Sequence, residues 1–110
     1  MLYVCKMANK QAVLSKDKLQ GAAKLLKVIA HPVKLEILQL LGSAKTPMDV
    51  TSLCECIGAE CEISMMSHHL AKMKDNGILI SEKKGKQVFY SIKDNSVLKL
   101  FNCLDQCDLI

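Results

Sequence analysis

The stretch EISMMSHHLAKMKDNGILISEKKGKQVFYSI, residues 62–92, decides the fold. In its first half Ile63, Met66, Leu70 and Met73 recur at steps of three and four, so on a helix they line one apolar face. Ser64, Met65, His68 and Lys72 then fall on the opposite face. Asn76-Gly77 stops the helix, because glycine takes the left-handed conformation at little cost. From Ile78 the pattern becomes that of two strands, 78–83 and 86–92, joined around Lys84-Gly85. Val88, Tyr90 and Ile92 share one face of the second strand, and Gln87, Phe89 and Ser91 the other. Lys83, Lys84 and Lys86 crowd the tip. A helix with a small polar outer face, running directly into a lysine-tipped hairpin, points to a DNA reader.

Upstream, Thr46-Pro47 begins a shorter helix with Asp49 at the capping-box position and Val50, Leu53 and Ile57 on its apolar face. Gly58 closes it, and residues 59–61 turn into the next helix, so 47–76 reads as a helix-turn-helix and 78–92 as its wing. Before it, Ser15 caps a helix patterned by Leu19, Ala22, Ala23, Leu26 and Ile29, which ends near Ala30 because a residue preceding proline is pushed out of α geometry. Pro32 fits the first turn of a helix whose stripe is Val33, Ile37, Leu40 and Leu41 and whose end is marked by Gly42. Downstream, Asp94 or Asn95 caps a last helix over 94–107 with Val97, Leu100, Phe101 and Leu104 in one stripe. Residues 1–14 form an N-terminal extension of weak pattern. The whole is one mainly α domain, 1–110, with a small β-hairpin.

Composition agrees with this size and class. A chain of 110 residues buries only about two thirds of its unfolded surface, so one modest core is expected. Apolar residues are 50% of the chain but aromatics 4%, which requires an aliphatic, methionine-rich core and favours helices. The net charge of +4 suits a polyanion, and its distribution is patterned: lysines gather at the hairpin tip, whereas Glu55, Glu60 and Glu62 surround cysteines. The opening residues lack the apolar core of a secretory signal, and no run approaches the roughly 18 apolar residues that span a bilayer. A cytoplasmic protein without membrane contact is therefore expected. In that compartment Cys5, Cys54, Cys56, Cys61, Cys103 and Cys107 read as buried thiols, metal ligands or redox sensors rather than structural disulfides.

The segments VIAHPVKLEILQLL at 28–41, SMMSHHLAKMKDNGIL at 64–79 and EKKGKQVFYSI at 82–92, in that order and spacing, resemble the ArsR/SmtB family of winged helix-turn-helix repressors over about residues 20–105. The resemblance implies a homodimer joined through the terminal helices. It also implies operator DNA as partner, and release when a metal, metalloid or reactive sulfur species engages cysteines or histidines. In one branch of the family a Cys-x-Cys pair on the third helix binds arsenic, antimony, cadmium or lead. Cys54-Glu55-Cys56 looks like that pair, but the alignment places the family's pair at Asp49 and Thr51, one turn earlier. The zinc branch uses the last helix, where Asp94 and Cys107 match ligand positions while Ser96 and Ile110 do not, so a zinc site of that type is not expected.

Site residues follow from geometry. Ser64, Met65 and His68 are short or adaptable enough to let a helix approach bases in the major groove, and Ser67 and Lys72 are placed for phosphates. Lys83, Lys84 and Lys86 would meet the flanking backbone. Against this stands the plain reading of a solvated helix and a charged hairpin tip, which the full arrangement outweighs. His69 lies about 100° from His68 and reads as packed, and His31 as structural at a helix boundary. For sensing, the candidates are Cys54, Cys56, Cys61, Cys103 and Cys107. Cys54 and Cys56 diverge by about 200° on a helix, Cys56 and Cys61 bracket the turn, and Cys103 and Cys107 share a helical face at i, i+4. Thiolates favour arsenite, cadmium, zinc or copper(I), and serve equally a persulfide or disulfide switch, although neighbouring glutamates raise thiol pKa. The remaining readings are a winged helix used for protein interaction or metal buffering without DNA, and a thiol enzyme. The enzyme is disfavoured because no base is directed at a cysteine and no length remains for a substrate cleft.

Overall fold

The computed structural model describes residues 14–58 and 61–110; most of the N-terminal extension with Cys5, and Ala59 and Glu60 of the expected turn, lie outside them. Ser15 opens α1 (Lys16–Ile29) by accepting a hydrogen bond from the Lys18 N–H. His31 does the same for α2 (Pro32–Ala44), its Nδ1 accepting from the Val33 N–H, with Pro32 in the first turn as the sequence predicts.

Gly42 does not end α2, which continues to Ala44 and stops at Lys45 with φ +61°. The glycine serves a close approach instead. A Cβ at position 42 would lie 2.8 Å from Leu98 Cδ2, so the missing side chain is what lets the C-terminal segment seat on the helix.

The next correction concerns residues 47–49. Met48–Asp49 form a short strand, β1, whose partners are Tyr90 and Phe89, so the backbone groups expected in a first helical turn are used by a sheet. The helix α3 is only Val50–Ile57, with Asp49 as its N-cap accepting from the Ser52 N–H. After it come α4 (Ile63–Asp75), β2 (Leu79–Lys84) and β3 (Gln87–Ile92). The sheet order β1-β3-β2 is antiparallel throughout, three strands where the pattern predicts two. Lys84 pairs with Gln87, leaving a two-residue loop whose first position, Gly85 at φ +63°, suits the tight hairpin turns that match strand twist.

The C-terminal element is shorter than the sequence pattern predicts. Asp94 caps a single-turn 3-10 helix, Asn95–Leu98, which places Leu98 against Gly42 before α5 runs over Lys99–Asp105.

The core is aliphatic and methionine-rich as composition requires. Ile37, Leu38, Leu53, Met66, Leu70, Met73 and Leu79 are fully enclosed, which wedges α2 between the helix-turn-helix and the sheet. Apolar surface remains on the outer elements: Leu19 and Leu26 of α1 are 53% and 50% exposed, and Leu104 of α5 is 38% exposed. No helix among the described residues is long and apolar enough to cross a membrane.

Candidate functional site

The helix α4 is held by Met66, His69, Leu70 and Met73, which face the core at the spacing the sequence predicts. Its other side leaves Ser64, Met65, His68 and Lys72 exposed. Ile63, expected on the buried face, is instead 54% exposed beside Met65, because the first turn projects beyond the core. The start of the helix therefore presents two apolar side chains and one hydroxyl. Ser67 is half-buried rather than on the open face, and lines a recess with Thr51, Lys86 and Gln87 where α3, α4 and the wing meet.

Lys83, Lys84 and Lys86 are exposed at the hairpin tip. The wing is fixed to the helix-turn-helix by Asp49, which uses one carboxylate oxygen to cap α3 and the other to accept from Gln87 Nε2 at 3.2 Å. Asp49 is buried and Gln87 exposed, so this part-buried contact joins α3 to β3 beyond the backbone pairing. Sequence reasoning identifies Asp49 only as a helix cap. Its long-range partner, 38 residues away, carries no local signal.

Behind α4 lie a buried lysine and two neighbouring imidazoles that the sequence pattern does not bring together. Lys34 is buried and donates from Nζ to the Val28 carbonyl at 2.9 Å; burial, then the charge of Lys72, lowers its ammonium pKa. The His69 ring lies 4.7 Å from that of His31. His69 is packed, as expected, but its Nδ1 is buried without a hydrogen-bond partner among the described residues, a situation that costs about 1–3 kcal/mol. Burial holds the His69 imidazole below its ordinary value, and His31, Lys34, His68 and Lys72 act in the same direction.

The cysteines are paired differently from any pairing the sequence proposes. Cys54 and Cys61 form a disulfide, with Cα atoms 5.5 Å apart, where reduced thiols are expected. The reason is local. Cys54 is on the inner side of α3 while Cys56, two residues on, points out to solvent. Gly58, at φ +133°, then returns the chain so that Cys61 faces Cys54. At the other end, Cys103 is exposed in α5, but Cys107 lies past the last helical residue and is half-buried, so the two do not share a regular helical face. Among the described residues no three His, Cys, Asp or Glu side chains are gathered as a metal-binding group. The donor chemistry of Cys54 and Cys61 fits a soft ion only when their bond is reduced, since the thiolate is the ligand.

No protein-family model matches the chain. Among curated proteins it is 37% identical over 79 residues to the HTH-type transcriptional regulator YgaV of Escherichia coli, covering 71% of this chain and 76% of that protein. It is 32% identical over 91 residues to the HTH-type transcriptional regulator NmtR of Mycobacterium tuberculosis, covering 83% and 72%. Among solved structures, it superposes on a homodimeric winged helix-turn-helix DNA-binding domain from Mycobacterium bovis, described as a possible ArsR-family transcriptional regulator. That match has TM-score 0.66 and 25% identity, covering 86% of each chain. It also superposes on the AntR antimony-specific transcriptional repressor, with TM-score 0.71 and 26% identity, covering 86% and 85%.

Proposed function

The chain belongs to the ArsR/SmtB family of winged helix-turn-helix transcriptional regulators, and we propose that it is a homodimeric, cytoplasmic repressor that leaves its operator when chemistry occurs at its cysteines. The observation that carries the reading is the joined unit of reading helix and wing. The exposed face of α4 and the lysines of the hairpin belong to one packed unit, because α4 packs on α3 and Asp49 ties α3 to Gln87. In this reading Ser64, Met65 and His68 meet base edges, joined by Ile63, while Lys72, Lys83, Lys84 and Lys86 meet phosphates. Ser67 sits with Lys86 at the seam and positions the wing. A second copy supplies the cover for the apolar residues of α1 and α5, and two-fold symmetry then sets two reading helices about one turn of DNA apart.

The effector is proposed to be a thiophilic metal or metalloid, with arsenite, cadmium, zinc and copper(I) as candidates. The likeness to an antimony-specific repressor supports this class. The Cys54–Cys61 disulfide favours a second reading, in which oxidation or a reactive sulfur species switches the same pair. Coupling is reciprocal in either case: a ligand that weakens DNA binding binds less well to the DNA complex.

The relatives are transcriptional regulators of the helix-turn-helix type, which supports a regulatory role. The test is a mobility shift of the reduced, dimeric protein on duplexes from around its own gene. A salt-sensitive complex is expected, and failure to bind any such duplex at low salt by folded dimer would refute the reading. Lys84→Glu with Lys86→Glu separates it from a protein-interaction or metal-buffering module, since only a DNA binder loses most of its duplex affinity.

A further inference from the structure

We propose, resting on the reading that α4 enters the major groove of operator DNA, that Ile63 and Met65 select the operator by packing on thymine 5-methyl groups, so that each half-site carries thymines where the start of α4 meets the bases. Both side chains are open to solvent, Ile63 at 54% and Met65 at 53% exposure. On the helix they stand about 100° to either side of Ser64, which faces away from the core formed by Met66, Leu70 and Met73. The first turn thus offers a hydroxyl between two apolar arms. The other large apolar side chains exposed among the described residues lie elsewhere, along and just before α1, on β2 and in the C-terminal segment. What covers the pair is set by the charges around it. Lys72 stands farther along α4, and Lys83, Lys84 and Lys86 project from the wing that Gln87 joins to Asp49, so a partner lying over this end of the molecule is a polyanion.

The rest of the reading face lacks the groups that identify a base by two hydrogen bonds at once. The chain has no arginine, all 15 of its Lys and Arg residues being lysine. The helix α4 contains no asparagine or glutamine. Two amides at the edges of this surface are engaged elsewhere: Asn76 Nδ2 donates to the Lys72 carbonyl at 2.8 Å, and Gln87 Nε2 to Asp49 at 3.2 Å. Recognition of guanine by an arginine fork, or of adenine by an amide, is therefore not available to this helix. Lys72 lies about 12 Å farther along the axis than Ser64, beyond the turn that meets the bases. Ser64 and His68 each supply single hydrogen bonds, and the N7 acceptor is common to adenine and guanine. Glu62, exposed at the start of α4, accepts only from a cytosine amino group. The thymine methyl is the one apolar group that unmodified base pairs present in the major groove. Packed on it, Ile63 or Met65 gains apolar burial. Packed on a guanine oxygen or a cytosine amino group, the same side chain strips water from a polar atom without replacing its hydrogen bond. Gain and penalty both favour thymine.

The experiment selects a site first. Full-length, reduced, dimeric protein is taken through rounds of binding to a random-sequence duplex library, and the recovered duplex is resynthesised with deoxyuridine for thymidine throughout its half-sites, which removes the 5-methyl groups and leaves base pairing as it was. With one methyl for each apolar arm of each protomer, about four contacts are lost. At about four-fold each, affinity measured by fluorescence anisotropy is expected to fall about a hundred-fold or more. A duplex with C·G pairs at those positions is expected to regain affinity when its cytosines are replaced by 5-methylcytosine, because the methyl returns at the same place in the groove. Ile63→Ala with Met65→Ala is expected to bind the thymine and uracil duplexes alike, whereas Ile80→Ala, at an exposed apolar position on β2, keeps the wild-type ratio. A thymine-to-uracil ratio near one for wild type, or an undiminished ratio for the folded, dimeric double variant, overturns the proposal and leaves the repressor reading intact. A double variant with altered oligomeric state and unchanged duplex affinity overturns it too, since this face is then a contact between copies. Protein that recovers no duplex from the library at low salt refutes the repressor reading and this inference with it.

Discussion

Replacing Lys84 and Lys86 by alanine is expected to weaken operator binding in a way that salt exposes. Both side chains are exposed at the hairpin tip, and the hairpin is fixed to the reading head by pairing with β1 and by Gln87 on Asp49. A dimer that places Lys72, Lys83, Lys84 and Lys86 of each protomer on phosphates makes about eight such contacts, and each contributes about 0.9 to the slope of log K against log salt. The wild-type slope is then about −7, which costs roughly 10,000-fold in affinity between 50 and 200 mM salt. Removing the two lysines from each wing reduces the slope to about −3.6 and that loss to roughly 100-fold. Fluorescence anisotropy of a labelled promoter duplex across a potassium chloride series measures both quantities. Lys24→Ala, an exposed charge on α1, is the control and leaves the slope where it was. A double variant that remains a folded dimer and keeps the wild-type slope would refute the placement of the wing on the DNA backbone.

Asp49→Ala removes the cap of α3 and the acceptor for Gln87, so it lowers stability by about 1–2 kcal/mol and also weakens duplex binding. Denaturant titration and anisotropy check the two effects. Gly42→Val forces the Leu98 side chain off α2 and costs about 1–3 kcal/mol, whereas Gly42→Ala costs less, because the clash involves the flexible end of Leu98 and alanine favours the helix. Leu38→Ala, at a fully buried position, costs about 2–5 kcal/mol in the same assay. For pH, the folded state resists the His69 protonation that the unfolded chain accepts. Stability contributed by neutral His69 is therefore complete above the ordinary pKa of 6.5 and declines as pH falls through that value. Thermal melts at pH 5.5 and 7.5 are expected to show this decline, and His69→Gln to reduce it.

What was legible in the sequence is what rests on local chemistry. The caps at Ser15 and Asp94, the proline start of α2, the apolar face of Met66, Leu70 and Met73, and the exposed lysine hairpin all follow from spacing within a dozen residues. The misreadings each involve a partner distant in the chain. Gly42 looks like a helix stop until Leu98 is seen to pack on it. Met48 and Asp49 look helical until Tyr90 and Phe89 pair with them, because two residues are too few to show a strand period. Ile63 has the spacing of a core residue, yet it lies at the end of its helix where the core has already stopped. The disulfide was hidden for a further reason: spacing brings Cys56, not Cys54, to the turn with Cys61, and the direction of Cys61 depends on the positive φ of Gly58.

These long-range contacts also give the proposed cysteine sensing a route to the DNA-binding face. The helix α3 has only eight residues, about 12 Å of length, and it is tied at two points. At its start Asp49 holds Gln87 of the wing; just past its middle Cys54 is bonded to Cys61, two residues before the first residue of the proposed reading helix. Leu53, fully buried between these ties, keeps the short helix from sliding independently of the core. A change in the bond between Cys54 and Cys61 therefore acts on the start of α4 directly and on the wing through α3. Reading helix and wing must fit one groove and its flanking phosphates together, so a shift in their relative angle removes contacts of both kinds. A sensor at this turn consequently needs no path through the dimer interface to reach the DNA, and Cys54→Ser or Cys61→Ser is expected to abolish effector response without altering the dimer, which size-exclusion chromatography beside anisotropy measures.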